Sequence, residues 1–183
     1  MGVLATVAEG GAYDDALYGI LLFLHIISAI VGFGGVTLNG LYGAQAAKRP
    51  GPGGLAIGEA NYAVSKVAEY FIYAVFVFGI LLVLVAEDNT IEWEQTWLWL
   101  SILLYVLAIG FSHGQQIPNA RRMNELAAEL DAGGPPPEGA QGPPPQVAQM
   151  EAIGKKLAMG GAILNLALLI VLYLMIFKPG FPS

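Results

Sequence analysis

Four runs of apolar residues, at about 16–43, 67–86, 96–113 and 157–177, constrain this chain more than any other feature. The hydrocarbon core of a bilayer is about 30 Å thick and holds no water, so each backbone amide must be bonded within its own segment. A helix of about 20 residues meets both demands. The pattern predicts an all-α fold, an integral membrane four-helix bundle forming one transmembrane domain over residues 1–183. Composition agrees: 56% of residues are hydrophobic and 12% are charged, about half the charged share of a soluble domain.

Cations fix the expected orientation, because short loops rich in Lys and Arg stay on the cytoplasmic side. Lys48, Arg49 and Lys66 fall between the first two spans, and Arg121, Arg122, Lys155 and Lys156 between the last two. Only Lys178 lies elsewhere, which predicts both termini outside and both basic connections on the cytoplasmic side. Glu9, Asp14, Asp15, Glu87, Asp88, Glu92 and Glu94 then carry the excess negative charge on the outer face. Cysteines introduced at Ala12 and Gly139 should react with an impermeant reagent from opposite sides, and external labelling of Gly139 alone would reverse the assignment. A net charge of −6 with eight Lys and Arg leaves no basic stripe for nucleic acid. The absence of cysteine removes disulfides, thiolate metal sites and cysteine nucleophiles.

Between the third and fourth spans, residues 121–130 (RRMNELAAEL) read as a short amphipathic helix continuing beyond Pro118. Residues 133–146 (GGPPPEGAQGPPPQ) read as a disordered Pro/Gly-rich cytoplasmic linker, since triple prolines favour extended polyproline II.

In lipid, helices associate through small residues that allow close approach and polar residues that bond across helices. On the first span His25, Ser28, Gly32, Gly35, Asn39 and Tyr42 recur at spacings of three and four, one helical stripe. That stripe predicts a central, most buried first helix packed through Ser28, Gly32 and Gly35. Weaker stripes are Ser101, Tyr105, Ala108, Ser112 and Gln116 on the third span, Gly154, Ala158, Gly161, Asn165 and Leu168 on the fourth, and Glu69, Tyr73, Phe76 and Ile80 on the second. Trp93, Trp97 and Trp99 read as an interfacial aromatic belt.

At about 1.5 Å per residue, His25 lies about 12 Å below the outer surface, with Asn165 at a comparable level as its expected neighbour. His113 lies about 25 Å down, level with Asn39 and Glu69, which defines an intramembrane polar cluster of Asn39, Glu69 and His113. Glu69 has Lys66 at i−3 and Tyr73 at i+4 as partners. A haem held by both histidines needs them at one level, which the offset of about 12 Å denies. A haem on His25 alone, or between two His25 side chains across a two-fold axis, stays open, and so does His25 as interhelical glue. Glu69 and His113 read as structural partners, with a proton-relay or metal role as the alternative, and no metal ligand is assigned.

The segment LHIISAIVGFGG, Leu24 to Gly35, resembles the opening helix of an uncharacterised prokaryotic family of four-span membrane proteins. More remotely it is similar to CopD-type copper-resistance domains and HemJ-type protoporphyrinogen oxidases. In the HemJ-type enzymes the first-helix histidine is associated with haem or porphyrin, a role that the resemblance carries to His25 alone. The expected function is therefore a membrane protein that binds haem or porphyrin through His25, redox-linked or sensory, and non-catalytic. The alternatives are an accessory or assembly subunit of a larger membrane complex and a small homo-oligomeric channel or transporter. Expected partners are the lipid bilayer and either further copies of the chain or membrane-complex subunits.

Overall fold

The computed structural model describes residues 12–49, 51–86, 91, 93–134 and 142–179, with side chains from Ala16 onward. Its helices are α1 (Ala12–Ala47), α2 (Pro52–Val85), α3 (Thr96–Phe111), α4 (Ile117–Ala132) and α5 (Pro145–Phe177). A π-helical turn, Ser112–Gln116, joins α3 to α4 without a break, so the chain forms four helices long and apolar enough to cross a membrane.

These helices outrun the apolar runs that announce them. Hydropathy decides where a helix can lie in lipid, whereas its ends depend on backbone chemistry. Gly51, at φ 78°, turns the chain and Pro52 starts α2 with its φ already helical. Pro144 holds the extended φ −54°, ψ 147° of polyproline II and Pro145 opens α5. Pro145 and Gln146, read from sequence as linker, are thus the first turn of a helix. The middle of that linker, residues 135–141, lies outside the described residues.

The π turn has a local cause in Pro118. A proline inside a helix lacks the N–H for the carbonyl four residues back, and its ring crowds that carbonyl. Here the helix widens just ahead of it: the Ile117 N–H reaches Ser112 O, five residues back, and α4 follows without a break.

The helices form a ring in which α1 meets α2 and α5, and α3 meets α5 and, through large side chains, α2. The first helix is therefore not central, contrary to the expectation from its stripe. That stripe serves one neighbour. Gly32 lies on Ile72 and Gly35 on Ala68, so closely that a Cβ on Gly35 would stand 2.6 Å from the Ala68 Cβ. Ser28 is buried in the same seam. The opposite face of α1, including Phe23, Ile26 and Ile30, is exposed.

The α2/α3 boundary is built from bulk instead. Phe76 and Tyr105 stack with ring centroids 5.1 Å apart, and the Tyr105 hydroxyl donates to Ile72 O at 2.6 Å. Rings hold these two backbones apart where glycines bring α1 and α2 together. Towards the tryptophan-bearing end the core is Val83, Trp97, Leu98 and Leu174. Trp97 is only 3% exposed and donates its indole N–H to Gln95 Oε1, so it belongs to the core and not to an interfacial belt. Trp93 and Trp99 are exposed, as a belt requires.

Candidate functional site

His25 sits in the α1/α2 seam. Its Nδ1 lies 2.9 Å from Val75 O, and because a carbonyl only accepts, Nδ1 carries the proton. The ring rests on Gly79, where a Cβ would come within 3.2 Å of Cε1. The imidazole is thereby oriented by one bond and one glycine, and its Nε2 lone pair makes no hydrogen bond among the described residues. Gly79 is absent from the sequence reading, although a lone glycine in the bulky run FVFGILLV was the signal for it.

Asn165 is not the neighbour of His25. It accepts from the Thr37 hydroxyl at 3.0 Å and donates to Gly161 O at 2.9 Å. Thr37 lies twelve residues beyond His25, about 18 Å along the helix. Counting depth inward from the last apolar residue cannot reveal this offset, because it assumes that all helices end at one level. α1 begins ahead of its apolar run and runs past the end of α2, where the Gly32–Ile72 and Gly35–Ala68 contacts fix an antiparallel register.

Glu69 and His113 do come together, across the α2/α3 boundary and at the π turn. His113 Nε2 lies 3.0 Å from Glu69 Oε1 and 2.8 Å from the Tyr73 hydroxyl, which itself donates to the same Oε1 at 2.6 Å. Lys66 Nζ bonds the other carboxylate oxygen at 2.9 Å. His113 Nδ1 faces Ile109 O at 3.0 Å and so holds a proton. The Glu69 carboxylate thus gathers Lys66, Tyr73 and His113 around it and ties the π turn to α2.

Asn39 stands apart from this cluster. It accepts from Ser65 Oγ at 3.0 Å through its side chain and from Asn61 Nδ2 at 3.5 Å through its carbonyl, which ties α1 to α2 nearer the basic end. Gly32, Gly35 and Ser28 are structural contacts in the seam. His25 meets α2 at Val75 and Gly79, and His113 meets it at Glu69 and Tyr73, so the two imidazoles address different levels. Among the described residues no group of three His, Asp or Glu side chains converges as a metal site.

Four long apolar helices in a ring, with two histidines from different helices fixed at different levels along α2, define an integral membrane helical bundle. Residues 19–179 match the family described as predicted integral membrane protein (DUF2269), and the chain belongs to that family. No curated protein and no solved structure matches it.

Proposed function

We propose that this membrane protein binds haem or a related porphyrin in the outer half of its bundle, with His25 as the axial ligand. The observation that supports the reading is the state of the His25 ring. A ligating histidine characteristically donates one ring N–H to a carbonyl, which fixes the tautomer and leaves the other nitrogen free for iron. His25 donates from Nδ1 to Val75 and keeps Nε2 unbonded. His113 is not its counterpart across one macrocycle, since its Nε2 is taken by Glu69 and Tyr73. The opposite axial position is open or filled by His25 of a second copy, which makes a homo-oligomer part of the reading. In the orientation set by the basic residues, the protein lies in a prokaryotic plasma membrane with His25 nearer the outer face.

An absorption spectrum tests this directly. Protein purified in mild detergent, or loaded with added haem, should show a Soret band that His25→Ala abolishes and His113→Ala leaves largely intact. Protein that neither copurifies with haem nor binds it when added removes the reading. A spectrum bleached by loss of His113 would move the ligand to the other site.

A further inference from the structure

The eight lysines and arginines of the chain fall into two groups. Lys66 pairs with Glu69, Arg121 with Glu125, and Arg122 with Glu125 and Glu129. Lys178 lies over the Trp97 ring, 5.4 Å from its centroid. The other four, Lys48, Arg49, Lys155 and Lys156, are exposed and meet neither a carboxylate nor an aromatic ring among the described residues. Topology asks only that cations lie on one side of a membrane. It does not ask that the unpaired ones lie together.

These four share one seam. α1 and α5 are the first and last of four successive membrane-crossing helices and run antiparallel, with their register set by the Thr37–Asn165 bond. Lys48 follows Thr37 by eleven residues and Lys155 precedes Asn165 by ten, so both stand about 15–16 Å from that bond in the same direction. At 3.6 residues per turn, Lys48 comes back to within about 20° of the Thr37 face and Lys155 to within about 80° of the Asn165 face. Arg49 and Lys156 adjoin them in sequence. The one carboxylate on α1 or α5 at this end is Glu151, a turn before Lys155, and it forms no ion pair among the described residues, so the seam is strongly positive.

Their depth matches a particular ligand. The apolar run of the first span ends near Gly43 and that of the fourth begins near Leu157, which puts the four cations within about 10 Å of the hydrocarbon edge, where lipid phosphates lie. On the membrane side of them Leu41 and Met159, one from each helix, are both more than half exposed.

We infer that Lys48 and Lys155, with Arg49 and Lys156 beside them, bind the phosphate of an anionic phospholipid whose acyl chains lie against Leu41 and Met159. A zwitterionic headgroup brings its own ammonium, which the four cations repel, so the seam selects lipids of net negative charge. Each basic residue at such a surface is worth about fivefold in affinity. The inference concerns binding alone and is independent of haem at His25 and of the side of the membrane on which the seam lies.

The test uses the full chain in nanodiscs of equimolar phosphatidylcholine and phosphatidylglycerol, with retained lipids counted by native mass spectrometry. Phosphatidylglycerol should be retained in preference to phosphatidylcholine. Lys48→Gln with Lys155→Gln should lower that preference about twentyfold, about fivefold for each lysine. Arg121→Gln with Arg122→Gln removes the same charge from the same end, but from residues already paired, and should leave the preference largely unchanged. All four side chains are exposed, so the fold should persist, and the melting temperature checks it. Glycerol phosphate, which carries the anion without acyl chains, should not displace the retained lipid. Displacement by it would reassign the cluster to a soluble phosphate and overturn the lipid. Equal retention of the two lipids, or equal losses in the two double variants, would overturn the site and leave only a diffuse surface charge. His25→Ala should leave retention unchanged, so that failure of the haem reading and failure of this one are told apart.

Discussion

Leucine at Gly35 should lower the melting temperature in detergent more than leucine at any exposed position of α1, and leucine at Ile30 should barely move it. The difference lies in what each side chain meets. At Gly35 the first added carbon already stands 2.6 Å from the Ala68 Cβ, closer than two carbons can approach, so α1 and α2 must separate. Gly32 is nearly as strict, with Ile72 backbone nitrogen and Cγ1 both at 3.0 Å. Overpacking of this kind costs about 1–3 kcal/mol even where neighbours adjust. In lipid the loss is not offset by exclusion of water, because helices there are held mainly by close contact. Ile30 is 63% exposed and Gly43 has open space beside it, so both serve as controls. A paired change sharpens the test: Gly35→Ala should destabilise, and adding Ala68→Gly should restore most of the loss by vacating the same volume. Equal melting of the Gly35 and Ile30 leucine variants would mean that α1 does not meet α2 through this face.

The glycine stripe was legible in the sequence because periodicity reports which face of a helix is special. It does not report which neighbour receives that face. Of the stripe His25, Ser28, Gly32, Gly35, Asn39 and Tyr42, the first five are buried in the seam or meet α2 while Tyr42 is exposed, and centrality of α1 does not follow. Trp97 shows the complementary limit. Its position at a span end matches an interfacial belt, and only the arrival of Val83 and Leu174 from other helices makes it core.

The two histidines divide in the same way. The meeting of Glu69, Tyr73 and His113 is readable in part, because the i and i+4 spacing puts Glu69 and Tyr73 on one face and depth brings His113 to their level. Thr37 as the partner of Asn165 is not readable, since vertical register between helices depends on how far each one extends past its apolar run. The π turn had a visible cause in Pro118, but sequence alone does not say whether a proline ends a helix or widens it. That choice matters here. A π turn adds a residue without stopping the helix, and His113 lies within it.

Leu126→Ala should loosen the basic end of the molecule while leaving the spans folded. Leu126 is 1% exposed, the most buried hydrophobic side chain in the chain's described core, and it lies on α4 where that helix packs against the early parts of α2 and α5. The Asn124 amide donates to Gly58 O at 3.3 Å beside it, and Met123 reaches Gly154. The outer face of α4 carries Arg121–Glu125 and Arg122–Glu129 pairs at 3.1 Å, all well exposed, so this end meets water. Here exclusion of water does hold helices together, in contrast to the glycine seam. Truncating a fully buried leucine costs about 2–5 kcal/mol, with the upper part of that range reserved for sites that cannot collapse onto the cavity. The three helical segments around Leu126 come from separate parts of the chain and should relax rather than unfold. Amide exchange should therefore accelerate across α4 and the first turns of α2 and α5, with little change near Trp97. Leu169→Ala, at a position 61% exposed among the apolar residues of α5, should alter neither region. Unchanged exchange in α4 after Leu126→Ala would mean that the paired charges and the Asn124 bond hold that helix without its buried leucine.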